Sequence, residues 1–193
     1  MPRAGLSTTI VIGEAADLAD EIGYDALTLT ALAARLGDLA LSRSLSVATA
    51  ESCTGGLVGH SLTSIAGSSG YYLGGIVSYS DAVKIEQLGV PAETIERHGA
   101  VSAQVAVAMA EGVRTALGSD LGVAVTGIAG PDGGTEAKPV GLTYVAVASA
   151  SSHDVRRHVW DGDRGANKSR SAAAAMELLI DTIAALPASE TVR

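Results

Sequence analysis

Residues 45–60 read Leu45-Ser-Val-Ala-Thr-Ala-Glu-Ser-Cys-Thr-Gly-Gly-Leu-Val-Gly-His60, and this stretch decides the fold class. Its first six residues are typical of a short strand. Gly55 and Gly56 indicate a tight turn, and the apolar spacing from Leu57 to Ile65 predicts a helix. A strand that runs through a tight turn into a helix is the opening unit of an α/β protein.

The remainder of the chain continues this alternation of strands and helices. After residue 44 we predict the order β-α-β-α-α-β-β-β-α, with elements near residues 45–50, 57–65, 71–80, 81–88, 102–117, 121–125, 141–148, 154–160 and 166–186. The alternating first half favours a partly parallel sheet with helices on both faces. Short connections between the last three strands imply at least one antiparallel pair.

The N-terminal segment, residues 1–44, is predicted to be helical and to pack on the core domain, residues 45–193. An apolar stripe predicts a helix over residues 9–22, and a second helix follows with Thr28 as its N-cap. Residues 14–37 resemble the opening of a TetR-type DNA-binding region. No recognition helix follows them, so we do not expect DNA binding.

Composition limits the partners that this chain can have. The 193 residues carry a formal net charge of -8, which disfavours a nucleic-acid backbone as the main partner. One cysteine permits no internal disulfide, and no apolar run is long enough for a signal sequence or a membrane span. The four histidines show no metal-ligand spacing. We therefore expect a cytoplasmic protein without metal, membrane or nucleic-acid partners.

Ser52 is the first candidate for chemistry, because it lies between a strand end and a helix start. Backbone N–H groups and the helix dipole favour developing negative charge there. A serine at such a junction is more often only an N-cap, so this position alone leaves both roles open. Cys53 is a rival nucleophile by residue type, but small buried cysteines are common and we favour a packing role for it.

Lys84 is the candidate base. In a helix that begins near Asp81, its side chain leans back toward Tyr79, and a partly desolvated lysine near a serine can act as a base. A solvated surface lysine is the alternative.

Two further segments suggest an anion site. Residues 126–135 contain four glycines directly after a buried strand, which is where ligands bind in open α/β sheets. Arg164 and Lys168 lie on the opening turn of the last helix, where an anionic ligand would offset their charge. A long connection and an exposed pair of cations are the ordinary alternatives.

Seven ordered motifs together resemble the C-terminal-domain family of the CinA competence/damage-inducible proteins, over roughly residues 32–186. The motifs are Ala50-Glu-Ser-Cys-Thr-Gly-Gly56, Ala66-Gly-Ser-Ser69, Val77-Ser-Tyr-Ser80 with Lys84, His98-Gly-Ala-Val-Ser102, Gly127-Ile-Ala-Gly-Pro-Asp-Gly-Gly134, Lys138-Pro-Val-Gly141 and Gly162-Asp-Arg164. The resemblance implies a three-layer α/β/α domain on a mixed, mostly parallel sheet of about five strands, often dimeric, so a homodimer is expected.

The resemblance also assigns site residues. The family's nucleophilic serine, tyrosine and lysine fall on Ser52, Tyr79 and Lys84. The residues expected to shape the pocket or hold the substrate are Glu51, Cys53, Thr54, Gly55, Gly127, Ala129, Gly130 and Arg164, with the amides of Cys53 and Thr54 as oxyanion-hole candidates. Two departures stand out: Lys168 replaces the usual second arginine, and the first 31 residues lie outside the family pattern.

The family includes enzymes that deamidate nicotinamide mononucleotide to nicotinic acid mononucleotide and ammonia. The implied mechanism is acyl transfer through Ser52, with Lys84 as base assisted by Tyr79 and with no cofactor. A non-catalytic module that binds a nucleotide or a protein in competence or DNA-damage responses is the alternative. A transcription regulator, suggested only by residues 14–37, is a third reading that the acidic charge disfavours.

Overall fold

The computed structural model describes residues 12–14 and 26–187. Its strands are β1 (Ile12–Glu14), β2 (Val47–Glu51), β3 (Tyr72–Val77), β4 (Leu121–Gly127), β5 (Leu142–Ala148) and β6 (His153–Val159). Its helices are α1 (Ala26–Ser42), α2 (Leu57–Thr63), α3 (Asp81–Leu88), α4 (Ala92–His98), α5 (Ala103–Leu117) and α6 (Arg164–Ala185), and a 3-10 turn spans Ser68–Gly70.

The strands form one mixed sheet in the order β1-β6-β5-β4-β2-β3. β2 pairs in parallel with both β3 and β4, and β1 pairs in parallel with β6. β4, β5 and β6 are joined by antiparallel pairing. The predicted α/β class and mixed, mostly parallel sheet are therefore confirmed, with the short β1 as a sixth strand.

A hydrophobic core covers each face of the sheet. On one face α1, α2 and α6 pack together, and the long α6 is rich in buried small residues such as Ala172 and Ala175. On the other face α5 packs over the centre of the sheet, with Met109 and Val113 fully buried. Small side chains allow the helices to lie close to the sheet, which explains how a chain with 3% aromatic residues fills its interior.

The N-terminal predictions are corrected in two places. Residues 12–14 form a strand that adds to β6, so the helix predicted over residues 9–22 is wrong there, and its remaining residues lie outside the described part of the chain. The second helix is present as α1, but it includes Ala26, so Thr28 lies within it rather than at its cap. Backbone pairing with β6 overrides the apolar stripe at residues 12–14.

Side-chain caps mark the starts of α3 and α5. Ser80 accepts a hydrogen bond from the Val83 amide, and Ser102 accepts one from the Val105 amide, as expected of N-caps. α3 ends at Gly89, which has a φ of 65°. The sequence did not predict α4, whose seven residues follow Pro91 and are too few for a clear period.

The parallel arrangement brings the functional segments together. β2, β3 and β4 run in the same direction, so the segments that follow them meet at one edge of the sheet. α1 shares the core of α2 and α6. The boundary between residues 44 and 45 as a division into two units stays a prediction.

Candidate active site

The turn that follows β2 presents Ser52. The Ser52 amide donates to the Val125 carbonyl at 2.9 Å, and the Gly55 amide donates to the Ser52 carbonyl at 3.1 Å. Gly55 and Gly56 have φ angles of 65° and 98°, which L side chains rarely adopt, so the turn requires glycine at both positions. The side chain of Ser52 is only 9% exposed. Ser52 is therefore held rigidly through its backbone.

Glu51 anchors this turn from below. Its carboxylate accepts hydrogen bonds from the amides of Gly56 at 3.0 Å, Val58 at 3.1 Å and Gly59 at 2.8 Å, and the residue is 2% exposed. A carboxylate at a helix N-terminus satisfies donors that the helix itself leaves free. The first amides of α2 therefore serve Glu51, and they are not available to a substrate phosphate.

Cys53 is buried next to Ser52 and is not activated. Burial raises the pKa of the Cys53 thiol to about 12, with the amides of Cys53 and Thr54 and the cation of Lys168 opposing the rise in part. The attacking form of a cysteine is the thiolate. With a pKa that high, Cys53 stays a protonated thiol at neutral pH, which favours Ser52 as the nucleophile.

Lys84 is a buried lysine, with only 1% of the residue exposed. Its Nζ donates to the Ser78 carbonyl at 3.0 Å and lies 3.5 Å from Asp81 Oδ1. An ammonium carries three hydrogens and a neutral amine carries two hydrogens and a lone pair. Among residues 26–187, the Ser78 carbonyl and Asp81 Oδ1 occupy two positions on Nζ. One position is left for Ser52 or a substrate, whether Lys84 is protonated or neutral.

Arg164 joins two walls of the site. Its guanidinium donates to the Tyr79 hydroxyl at 3.0 Å and to the Gly130 carbonyl at 2.8 Å. Tyr79 is 61% exposed, and its hydroxyl is paired with Arg164 rather than with Lys84. Asp163 caps α6 by accepting from the Ala166 amide at 2.8 Å, so the start of the helix that carries Arg164 is fixed.

The glycine-rich loop after β4 packs closely on the Ser52 turn. A Cβ at Gly127 would lie 3.1 Å from the Cys53 sulfur and 2.8 Å from Thr143 Oγ1, so only glycine fits there. Gly130 has a φ of 85° and precedes Pro131 through a cis peptide bond. Asn167 donates from Nδ2 to the Ala129 carbonyl at 3.1 Å. The loop is held by the same helix that carries Arg164.

These segments enclose one cleft of about 290 Å³. It is lined by eight of the residues predicted from the sequence: Ser52, Cys53, Tyr79, Lys84, Gly127, Ala129, Gly130 and Arg164. Glu51, Thr54 and Gly55 do not line it, because they lie within or beneath the turn. The cleft thus gathers the nucleophile, base and cation candidates from four separate segments.

Some cleft residues were missed by reasoning from the sequence. Asp81 was expected only as a helix cap, and Ala100 and Val101 had no assigned role. The signal that could have located the last two was the His98-Gly-Ala-Val-Ser102 motif, which precedes α5 without a structural explanation of its own. Asp132 and Gly133 also line the cleft from the glycine-rich loop.

Neither a metal-ligand cluster nor a membrane-spanning helix is found in the described part of the chain. No group of histidine, cysteine, aspartate or glutamate residues within 12–14 and 26–187 is arranged to hold a metal ion. No helix in this part of the chain is long and apolar enough to cross a membrane.

Comparison with known proteins identifies the family. A family model described as the CinA C-terminal domain matches residues 29–183. The chain belongs to the CinA C-terminal domain family. A CinA-like protein of Salinibacter ruber is 52% identical over 158 residues, which cover 82% of this chain and 38% of that protein. This CinA domain therefore spans about a third of the length of the curated relatives that it matches.

Solved structures support the same membership. The crystal structure of the competence/damage inducible protein CihA from Agrobacterium tumefaciens superposes with a TM-score of 0.76 at 41% identity, covering 80% of this chain and 94% of that one. A CinA superfamily protein from Klebsiella pneumoniae gives a TM-score of 0.79 at 32% identity, with 82% and 99% covered. The CinA domain thus accounts for most of the described residues.

Proposed function

We propose that this chain is an amidohydrolase that converts nicotinamide mononucleotide and water into nicotinic acid mononucleotide and ammonia. The observation that carries the proposal is that one cleft holds Ser52, the buried Lys84 and Arg164. A hydroxyl beside a lysine provides a nucleophile and a base, and the guanidinium provides a partner for a phosphate. The Ser52 and Lys84 pair supports acyl transfer, and Arg164 with the glycine-rich loop supports an anionic substrate. That the substrate is a nicotinamide nucleotide is what the resemblance to the family implies.

The reaction follows the acyl-transfer pattern. The amine of Lys84 takes the Ser52 proton, and the serine oxygen bonds to the carboxamide carbon, which places negative charge on the carboxamide oxygen. Backbone amides at the turn, with those of Cys53 and Thr54 as candidates, would stabilise that oxyanion. Ammonia leaves with the proton that Lys84 returns, and a water then hydrolyses the ester to release nicotinic acid mononucleotide and free Ser52.

Tyr79 connects the two ends of this cleft. Its hydroxyl accepts from Arg164, while the carbonyl of the preceding residue, Ser78, accepts from Lys84. A phosphate that binds Arg164 would therefore be linked, through Tyr79 and Ser78, to the backbone that holds Lys84. This link supports Tyr79 as an assisting residue rather than as the base itself.

The phosphate requirement tests the substrate assignment. We expect nicotinamide mononucleotide to be hydrolysed far faster than nicotinamide riboside, because the nucleoside leaves Arg164 without an anionic partner. Arg164→Ala should raise KM for the nucleotide by about tenfold or more, the effect of losing a charge-assisted hydrogen bond. Initial rates of ammonia release measure both, and equal rates on nucleotide and nucleoside would defeat the assignment.

A second candidate is a non-catalytic module that binds a pyridine nucleotide or another protein. The observation that favours it is that Lys84 Nζ is bonded to the Ser78 carbonyl and lies near Asp81, with no bond to Ser52 among the described residues. A module that only binds would retain nucleotide without releasing ammonia, so an ammonia assay with a parallel binding measurement separates the two. A homodimer in the cytoplasm stays a proposal, which sedimentation and cell fractionation would test.

A further inference from the structure

One wall of the cleft is a stretch of irregular backbone. Residues 99–101 link α4 to Ser102, the N-cap of α5, and Ala100 and Val101 line the cleft. A connection of this kind has no helical or sheet hydrogen bonds to hold its carbonyl groups. Its shape depends on whatever else bonds to them.

Side chains hold four successive carbonyl groups of this wall. Ser102 Oγ donates to the Gly99 carbonyl at 2.9 Å, and Thr126 Oγ1 donates to the Ala100 carbonyl at 2.8 Å. The carbonyls of His98 and Val101 both accept from the Nζ of Lys138, at 2.6 Å and 2.8 Å. Lys138 thus supplies two of the four bonds from a single ammonium.

Lys138 reaches this wall from a different segment of the chain. It belongs to the connection between β4 and β5, downstream of the glycine-rich loop. Its backbone is tied to that connection, because the Thr135 amide donates to the Lys138 carbonyl at 2.8 Å and the Lys138 amide donates to Thr135 Oγ1 at 3.0 Å. The ammonium therefore ties the wall at residues 98–101 to the connection between β4 and β5.

Gly99 makes room for this bridge. A Cβ at Gly99 would lie 2.6 Å from Lys138 Nζ, and the residue has a φ of 74°. Any larger residue would both strain the backbone and displace the ammonium. Lys138 itself does not line the cleft, so it has no direct contact with a ligand there.

We propose that Lys138 is a positioning residue that holds the wall at residues 98–101 in place beside Ser52, and with it the fit of a pyridine nucleotide. The inference rests on the proposed function for its substrate. Two strong charge-assisted bonds to backbone carbonyls hold the wall at residues 98–101, whereas Thr126 supplies one neutral bond to the same wall. Loosening the wall should weaken binding of the nucleotide without altering the chemistry at Ser52 and Lys84.

The test compares Lys138→Met with Asp120→Ala. Methionine keeps an apolar side chain of similar length but removes both bonds. Asp120 accepts two hydrogen bonds from Ser46, at 2.7 Å and 2.6 Å, at the opposite ends of β2 and β4, so its loss is a matched control far from the cleft. We expect Lys138→Met to raise KM for nicotinamide mononucleotide at least fivefold with kcat within threefold, and Asp120→Ala to change neither.

Chemical rescue separates positioning from loss of stability. Lys138→Cys treated with 2-bromoethylamine regains an ammonium on a lysine-length side chain, because the introduced thiolate displaces bromide. The treated parent serves as the control, since Cys53 is buried. We expect KM to return to within twofold of the parent. A Lys138→Met KM changed less than fivefold, or no recovery on alkylation, would overturn the proposal.

Hydrogen exchange gives a readout that does not need activity. Peptides covering residues 96–106 should exchange at least tenfold faster in Lys138→Met than in Asp120→Ala, because two carbonyls of that wall lose their donors. Equal exchange in the two variants would overturn the proposal. If the parent chain releases no ammonia, the proposed function fails, and the exchange comparison alone then decides the role of Lys138.

Discussion

The two ends of β2 and β4 differ in what they bury. At the amino ends, Ser46 and Asp120 join the strands through exposed hydrogen bonds at 2.6–3.0 Å. At the carboxyl ends, two charged side chains are buried, Glu51 at 2% and Lys84 at 1% exposure, and they are the only such residues within 26–187. Burying a charge is costly unless hydrogen bonds compensate it. The carboxyl ends are also where the proposed chemistry lies.

The two buried charges are compensated in different ways. Glu51 accepts hydrogen bonds from three backbone amides of one turn and the helix after it, so neighbouring residues satisfy both of its carboxylate oxygens. Lys84 has one carbonyl at 3.0 Å and a more distant carboxylate, so it retains bonding capacity toward the cleft. The first charge builds the turn, and the second is available to a reacting group.

Replacing Lys84 should therefore separate activity from stability. Lys84→Met keeps most of the side-chain volume and removes the base, so we expect ammonia release to fall about a thousandfold or more. Stability should change by no more than about 2 kcal/mol, because apolar residues often replace buried ions at little cost. Steady-state kinetics and urea unfolding measure the two effects.

Asp120→Ala is the control at the other end of the strands. It should lower the free energy of unfolding by about 1–2 kcal/mol while leaving kcat unchanged. A Lys84→Met chain that keeps parental activity would remove the distinction between the ends. The double variant with Ser52→Ala should lose little more activity than either single variant, since the two residues act in one step.

A half-buried histidine, His158, lies at the end of the sheet where β4 ends and gives a pH-dependent effect. Burial, with the nearby charge of Arg156, lowers the pKa of His158 to about 4, and its ring stacks on Trp160 with centroids 4.6 Å apart. An unfolded histidine has a pKa near 6.5. Below about pH 6.5 His158 therefore binds a proton in the unfolded chain but stays neutral in the folded chain. The free energy of unfolding falls as the pH drops toward 4.

The predicted size of this loss is about 2 kcal/mol between pH 7.5 and 5.0. His158→Phe keeps a ring against Trp160 and cannot titrate, so its stability should fall less over the same interval by about that amount. Urea unfolding of both chains at the two pH values measures the difference. An identical pH dependence in parent and variant would contradict the depressed pKa.

The smallest expected effect concerns Cys53. Its raised pKa of about 12 predicts little reaction with iodoacetamide at pH 8 and no loss of activity on treatment. Cys53→Ala should keep activity within about tenfold, because only packing is altered. Rapid inactivation by the alkylating reagent, or an inactive alanine variant, would make the cysteine rather than Ser52 the nucleophile.

Local signals explain what the sequence could predict. The strand, turn and helix around Ser52 depend on residues within about ten positions of one another, and the caps at Ser80 and Ser102 depend on hydrogen bonds three residues away. The mixture of parallel and antiparallel pairing followed from alternating elements and short connections. These features required no knowledge of distant contacts.

Long-range contacts explain what the sequence missed. The Arg164 bond to Tyr79 joins residues 85 positions apart, and the Lys138 bonds to the wall join residues 37 and 40 positions apart. No periodicity or motif spacing encodes such pairs. Glu51 was expected in the pocket from the family resemblance, but its three amide partners appear only once the start of α2 is placed.

The most direct measurement is ammonia release from nicotinamide mononucleotide by the parent chain and by Ser52→Ala, followed with a coupled ammonia assay. We expect the parent to release one ammonia for each nicotinic acid mononucleotide formed. The folded Ser52→Ala chain should be slower by several orders of magnitude, with at most about 1–2 kcal/mol of stability lost. A parent chain that releases no ammonia, or a folded Ser52→Ala chain that releases it at the parental rate, would contradict the account.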